Sequence, residues 1–212
     1  MIAGLLSLTR IDIKNLKITD AYSLHRVVYS LFDDVRTEAE KSASIPSGIL
    51  YVDKGASKND NFNSRKILLL SNRKPNTPDF GELLFRKVPE NFLEHDRYRF
   101  EVVINPTKRD KITAKIVSIK GRDNIALWFI EKSEKNWGFI VKSESLQIIH
   151  CGVRAFDKKG NSVTQGSATL QGEFVVTQRE KFKASFKQGI GRGRAFGFGL
   201  LQIVPITDPF GF

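Results

Sequence analysis

Apolar residues change their spacing along the first half of the chain, and this succession limits the folds that it can adopt. Residues 2–9 are almost continuously apolar, as in a buried strand. Residues 19–35 then place apolar side chains at helical spacing behind an N-cap at Thr19 or Asp20. Further strands are predicted at 47–53, 65–72 and 96–107. Strand, helix, two strands, an irregular segment and a strand form the order of a ferredoxin-like βαββαβ unit.

The same rough order recurs in the second half. A helix is predicted at 123–136 and a basic helix at 178–188. Strands are predicted at 137–142, 145–156, 163–177 and 199–206. The turn sequence DKKGN joins two of these strands into a hairpin. We therefore predict an α+β protein with two tandem ferredoxin-like (RRM-like) domains, the first at 1–108 and the second at 109–212.

The charge balance indicates a polyanionic partner. The chain has 34 Lys and Arg against 23 Asp and Glu, a net charge of +11, which indicates nucleic acid or an acidic membrane surface as the partner. No apolar run approaches the roughly 20 residues that span a bilayer, and no basic segment precedes the first apolar run. No predicted helix combines a broad apolar face with a dense basic one, so we expect a cytoplasmic protein with no membrane partner. The single cysteine, Cys151, excludes an internal disulfide framework and Cys-rich zinc sites.

A glycine-rich loop lies between the basic helix and the last strand. Residues 189–199 contain five glycines together with Arg192 and Arg194. One glycine would suffice to end a helix, so five indicate backbone conformations closed to other residues or close approach to another molecule. The spacing fits neither a dinucleotide fingerprint nor a Walker loop. The arginines and backbone N–H groups suit phosphate oxygens, although a flexible turn carrying arginines is the simpler alternative.

Three histidines are candidates for proton transfer, because imidazole titrates nearest neutral pH. We expect His95 to lie in a solvated loop and His150 to pack on a strand. His25 lies at the edge of the apolar face of the first helix, with Tyr22 one turn earlier and Arg26 next to it. Without further information, a histidine that merely borders the core remains the alternative for His25.

Three segments together resemble the CasE type of CRISPR repeat-processing endoribonuclease. YSLHR at 22–26 is similar to the Tyr-x-x-His-Arg of that family, and INPTK at 104–108 to its Asn-Pro-x-Lys. The C-terminal signature is matched by Gly189, Gly191, Arg194, Gly197, Gly199, Leu200, Leu201 and Pro205. The three segments occur in the family's order and span residues 22–205.

The resemblance implies two ferredoxin-like domains and metal-independent cleavage of repeat hairpins in precursor CRISPR RNA, with no cofactor. The 2′-hydroxyl attacks the adjacent phosphorus and leaves a cyclic phosphate and a 5′-hydroxyl. His25 and Tyr22 would be catalytic, with the acid and base roles open between them. The implied RNA-binding residues are Arg26, Lys108, Arg154, Lys158, Lys159, Gly189, Gly191, Arg192, Arg194, Gly197 and Gly199.

The resemblance also implies partners. We expect the repeat stem-loop to be bound and kept after cleavage, and the chain to join other subunits of a Cascade-type surveillance complex. No DNA contact is expected of the chain alone. The alternative is a non-catalytic repeat-RNA-binding subunit on the same fold. The glycine-rich loop is expected to pack against the first helix.

Overall fold

A computed structural model describes residues 1–43, 45–56, 64–158 and 160–207. The chain forms two compact units. The first is Met1–Val88 together with Ala195–Gly197, and the second is Pro89–Arg194 together with the chain from Phe198 onward. No helix in the described ranges is long and apolar enough to cross a membrane.

The first unit is an antiparallel four-stranded sheet with helices. Its elements are β1 (Ile2–Thr9), α1 (Arg10–Asn15), α2 (Ala21–Ser30), α3 (Glu38–Ser42), β2 (Ile49–Ala56), β3 (Ser64–Ser71) and β4 (Glu82–Lys87). The strand order β2-β3-β1-β4 is that of a ferredoxin-like unit. Helix α2 begins behind Asp20, whose carboxylate accepts the backbone N–H of Ser23 at 2.7 Å, as the sequence predicts. Leu24, Val27 and Val28 of α2 are buried in the core of this unit.

The second unit has the same strand order as the first and contains both helices of the βαββαβ pattern. Its elements are β5 (Arg97–Ile104), β6 (Thr107–Arg109), β7 (Ile116–Ser118), α4 (Arg122–Lys132), β8 (Phe139–Val141), β9 (Gln147–Lys158), β10 (Asn161–Val176), α5 (Arg179–Gln188) and β11 (Gln202–Pro205). The strand order is β11-β5-β10-β8, and β9 pairs with β10 as a long hairpin. Its core is rich in aromatic rings, which are supplied by Tyr98, Phe100, Phe129, Phe139, Phe174, Phe182 and Phe198.

The predicted fold class is confirmed, whereas the compact units divide at Val88 and not at residue 108. The last strand of the first sheet is β4, which lies in the segment that was predicted to be irregular because it contains prolines. The strand at Arg97–Ile104 pairs with β10 and β11, so it belongs to the second sheet. Alternation alone identifies a strand and its buried face but not its sheet.

Candidate functional site

His25 projects from the edge of the buried face of α2 and is half-buried. Its Nδ1 atom lies 2.7 Å from the backbone carbonyl oxygen of Ala195. A carbonyl oxygen can only accept a hydrogen bond, so Nδ1 carries a proton in this arrangement. The neutral imidazole therefore keeps its lone pair on Nε2, where it can accept a proton, and the imidazolium can donate one from the same atom.

Three aromatic rings surround the imidazole. The ring centroid of Tyr29 is 4.1 Å away, that of Phe196 is 5.4 Å away, and that of Tyr22 is 6.1 Å away in a nearly parallel orientation. The Tyr29 hydroxyl is itself held by a 2.9 Å hydrogen bond with the Ser47 hydroxyl. The imidazole is thus fixed in orientation by packing as well as by its hydrogen bond to Ala195.

Tyr29 is a residue of this site that the sequence reasoning missed. Burial raises its pKa, opposed by the hydrogen bond from Ser47, so the hydroxyl stays protonated through the neutral range. The available signal was its position four residues after His25 on the same helix, a spacing that places two side chains on neighbouring turns. The partner Ser47 lies beyond the helix, and no local pattern indicates it.

The first unit brings together Tyr22, His25 and the loop segment 195–197, which includes Gly197. The expected packing of the glycine-rich loop against the first long helix is therefore confirmed for this segment. Arg26 is exposed on α2. The remaining predicted RNA-binding residues belong to the second unit.

The five glycines of the loop all have positive φ, between 73° and 80°, as the sequence predicts. Gly199 shows the tightest requirement, because a Cβ atom there would lie 2.1 Å from the carbonyl oxygen of Ile190. The backbone N–H of Ile190 donates to Gly199 at 2.9 Å, and that of Gly199 donates to Val103 of β5 at 2.7 Å. These bonds join the two ends of the loop to each other and to β5.

The three predicted arginines of the second unit have different environments. Arg192 is exposed, and its backbone forms a β-bridge with Asn105. Arg194 donates to the carbonyl oxygen of Gln188 at 3.0 Å, so it stabilises the end of α5. Arg154 of the long hairpin places its guanidinium 4.5 Å from the ring centroid of Phe198, a cation–π contact beside the loop.

The other predicted positions are placed as follows. Gly189 follows the last residue of α5, and Gly191 is half-buried in the loop. Lys108 is exposed and lies in β6, outside the glycine-rich loop. Lys158 ends β9, and Lys159 lies outside the described residues.

The two other histidines differ from expectation. His95 is half-buried and meets the ring of Tyr98 edge-on at 6.1 Å, whereas a solvated position was predicted. His150 lies on β9 as predicted, but its side chain is exposed, so the predicted packing is wrong. In the described part of the chain, no three His, Cys, Asp or Glu side chains are grouped so that they could hold a metal ion.

The known proteins to which this chain is similar are CRISPR-associated proteins. A family model described as CRISPR associated protein matches residues 6–205. The CRISPR-associated endoribonuclease Cse3 of Thermus thermophilus is 26% identical over 118 residues. That alignment spans 51% of this chain and 56% of the relative, little more than half of its length.

Two solved structures show the same fold. A CRISPR endoribonuclease Cse3 bound to a 19-nucleotide RNA superposes with a TM-score of 0.78 at 20% identity, over 97% of this chain and 100% of that one. A chain of a CRISPR RNA-guided surveillance complex in a pre-nicking state gives a TM-score of 0.71 at 18% identity, over 97% and 99% of the two chains. At these identities the likeness concerns the fold.

Proposed function

Because the chain belongs to the family of CRISPR-associated proteins, we propose that it is a CasE-type endoribonuclease that cleaves the repeat hairpins of precursor CRISPR RNA. The observation that carries the proposal is the environment of His25. Its Nδ1 donates to the Ala195 carbonyl at 2.7 Å, which leaves Nε2 for proton transfer, and the site lies on a chain with a net charge of +11. The family relative named as an endoribonuclease supports the same reaction class.

The proposed reaction needs no metal ion. One group removes the proton of the 2′-hydroxyl, whose oxygen bonds to the adjacent phosphorus while the bond from phosphorus to the 5′ oxygen breaks. A second group protonates that leaving oxygen, so the products are a cyclic phosphate and a 5′-hydroxyl. His25 performs one of these transfers at Nε2. Tyr22, whose ring lies 6.1 Å from the imidazole, performs the other or positions His25.

Ala195, Tyr29 and Phe196 act through His25. The Ala195 carbonyl selects the tautomer with the proton on Nδ1 and stabilises the imidazolium that forms when Nε2 is protonated. Tyr29, held by Ser47, and Phe196 limit rotation of the imidazole. Tyr29 is therefore a positioning residue, and a fixed base is what keeps the reacting atoms within hydrogen-bonding reach.

RNA binding is assigned to cationic side chains and to loop backbone. The phosphates of the repeat stem would contact the glycine-rich loop, the exposed residues Arg26, Lys108 and Arg192, and the half-buried Arg154. Lys158 and Lys159 are proposed as further contacts. Recognition by stem shape and phosphate contacts is what double-stranded RNA favours. We further propose that the product stays bound and that the chain joins a surveillance complex, as a structural relative does.

The deciding experiment is cleavage of the host's own repeat RNA in EDTA by the wild type, His25→Ala and His150→Ala. His150 is exposed outside the first unit and serves as the matched control. At saturating RNA, His25→Ala is expected to cut about 10²–10⁴-fold more slowly than the wild type and to bind RNA with unchanged affinity. The wild-type product is expected to carry a cyclic phosphate. Equal rates for the two variants would overturn the assignment of His25. Tight binding without cutting by the wild type would establish the non-catalytic repeat-binding subunit instead.

A further inference from the structure

A second hairpin of the second unit carries a concentrated positive charge, of which the RNA contacts proposed above include only Lys108. It runs from Thr107 to Ser118 through β6 and β7 and is called the short hairpin below. Its twelve residues hold four cations, Lys108, Arg109, Lys111 and Lys115, and one carboxylate, Asp110. All four cationic residues are exposed.

The turn of the short hairpin is held rigidly from within. Asp110 accepts hydrogen bonds from the backbone N–H groups of Ile112 at 3.1 Å and Thr113 at 2.7 Å, and from the Thr113 hydroxyl at 2.8 Å. Arg109 donates to the carbonyl oxygen of Ala114 at 2.7 Å. The lysines are therefore displayed from a defined backbone, which lowers the entropy lost when they bind.

The single carboxylate does not balance the cations. The hydrogen bonds from Thr113 lower the pKa of Asp110, and they direct its oxygens into the turn. No carboxylate among the described residues forms an ion pair with Lys111 or Lys115. At the tip, Ile112 has 94% of its surface exposed, so its side chain is accessible to a bound molecule.

The short hairpin begins beside the long one. Ser118, at the end of β7, lies against Gly166 of β10: a Cβ atom on that glycine would be 3.6 Å from the Ser118 hydroxyl oxygen. Gly166 is paired in register with Val153, the residue before Arg154. Both basic hairpins thus start from one region of the second unit, where Arg154 also stacks on Phe198.

We propose that the short hairpin is a second RNA-binding element, which contacts the phosphate backbone of the repeat stem through Lys111 and Lys115 and a sugar–base surface through Ile112. This inference rests on the proposed RNA substrate. RNA is favoured over a protein partner because lysine is depleted from protein–protein interfaces, whereas clustered lysines without carboxylate partners suit phosphates. Since phosphate contacts carry no sequence information, the contribution is expected to be independent of the sequence of the stem.

The test measures the dissociation constant of the full chain for the repeat stem-loop over a range of salt concentrations. The double variant Lys111→Ala/Lys115→Ala is compared with Lys14→Ala/Lys135→Ala, which removes two other exposed lysines and causes the same change in net charge. The first is expected to bind about tenfold more weakly at ~0.1 M salt, and its salt slope should fall by about one per lost contact. The loss should be equal for a stem of scrambled sequence and equal length. Ile112→Ala should weaken binding without changing the salt slope.

Each outcome decides one question. If the wild type binds no repeat RNA, the proposed function fails. If the wild type binds but the hairpin variant binds equally well, or no worse than the control pair, the short hairpin is not an RNA contact and a protein partner becomes the explanation for its exposed residues. The substituted side chains are exposed, so unchanged circular dichroism is expected for all variants. Lys111→Glu provides an independent check, because reversed charge at a phosphate contact must weaken binding further.

Discussion

In the first unit the core is mainly aliphatic, with Leu6, Val28 and Ile67 fully buried, whereas the second unit packs the rings of Phe139 and Phe174 in direct contact. The strand order is nevertheless the same in both sheets. Strand order and core composition are therefore separable: the order follows from connections and hydrogen bonding, whereas any side chains that fill the volume can supply the core.

The units also differ between their third and fourth strands. The second unit places helix α5 there, whereas residues 72–81 of the first unit form no helix and contain Pro75 and Pro78. Proton-transfer candidates lie on α2 of the first unit, and most exposed candidate phosphate ligands lie in the second. One fold thus hosts two kinds of site, and the side chains grafted onto it decide which.

The largest expected effect separates these two kinds of site. His25→Ala should lower the rate of cleavage at saturating RNA by about 10²–10⁴-fold and leave affinity unchanged. Arg192→Ala should do the reverse, because an exposed phosphate contact contributes to affinity and to its salt dependence. Single-turnover rates and dissociation constants measured on both variants check this. If His25→Ala and Arg192→Ala each lowered rate and affinity together, the assignment of proton transfer to the first unit and RNA binding to the second would be wrong.

The next effect concerns the aromatic core. Phe182 is fully buried and its ring lies 5.3 Å from Tyr98 and 5.5 Å from Phe174. Phe182→Ala should lower the free energy of unfolding of the second unit by about 3–5 kcal/mol, and Phe182→Leu by much less. Both tryptophans, Trp128 and Trp137, lie in that unit, so urea unfolding followed by tryptophan fluorescence reports on it alone. An equal effect of the two substitutions would mean that ring volume does not support this core.

The smallest effect tests how tightly the first unit holds its imidazole. Tyr29→Phe removes only the hydrogen bond with Ser47, of about 0.5–1.5 kcal/mol, so the cleavage rate should fall a few-fold with unchanged RNA affinity. Ser47→Ala should cause a similar loss of rate, and the double variant no more than Ser47→Ala alone, because all three lack the Tyr29–Ser47 bond. Ser47 also accepts a 3.3 Å hydrogen bond from the backbone N–H of Ile49, so Ser47→Ala should in addition lower stability slightly. Additive losses, or losses in affinity, would show that Tyr29 acts on stability or on RNA and not through His25.

The local features of both units were predictable. The N-cap at Asp20, the strands β1, β2 and β3 and the five positive φ angles of the glycine-rich loop all follow from short-range patterns. The strand β4 is an exception, because it lies between prolines that obscure its periodicity. Sequence spacing also identified the edge position of His25 on its helix.

The individual long-range contacts were not predictable, although the expected packing of the glycine-rich loop against the first long helix was confirmed for residues 195–197. Ala195 and His25 are 170 residues apart, and a backbone carbonyl leaves no signature in the residue that bears it. The contact of Tyr29 with Ser47 depends on how the segment before β2 returns to α2. The assignment of Arg97–Ile104 to the second sheet likewise depends on pairing with strands much later in the chain. Such pairings are set by tertiary packing, which overrides local preference.

The hydrogen bond between His25 and Ala195 has an evolutionary consequence. Its acceptor belongs to the main chain, so no codon change at position 195 can delete it, and substitutions there only shift it. Selection on proton chemistry would then act on the glycines that shape the loop and leave the neighbouring side chain free to drift. Orthologues should vary at 195 while they keep glycine at 197 and 199. Chemical synthesis could replace that one amide by an ester, which would weaken the carbonyl acceptor in a way that no codon change can.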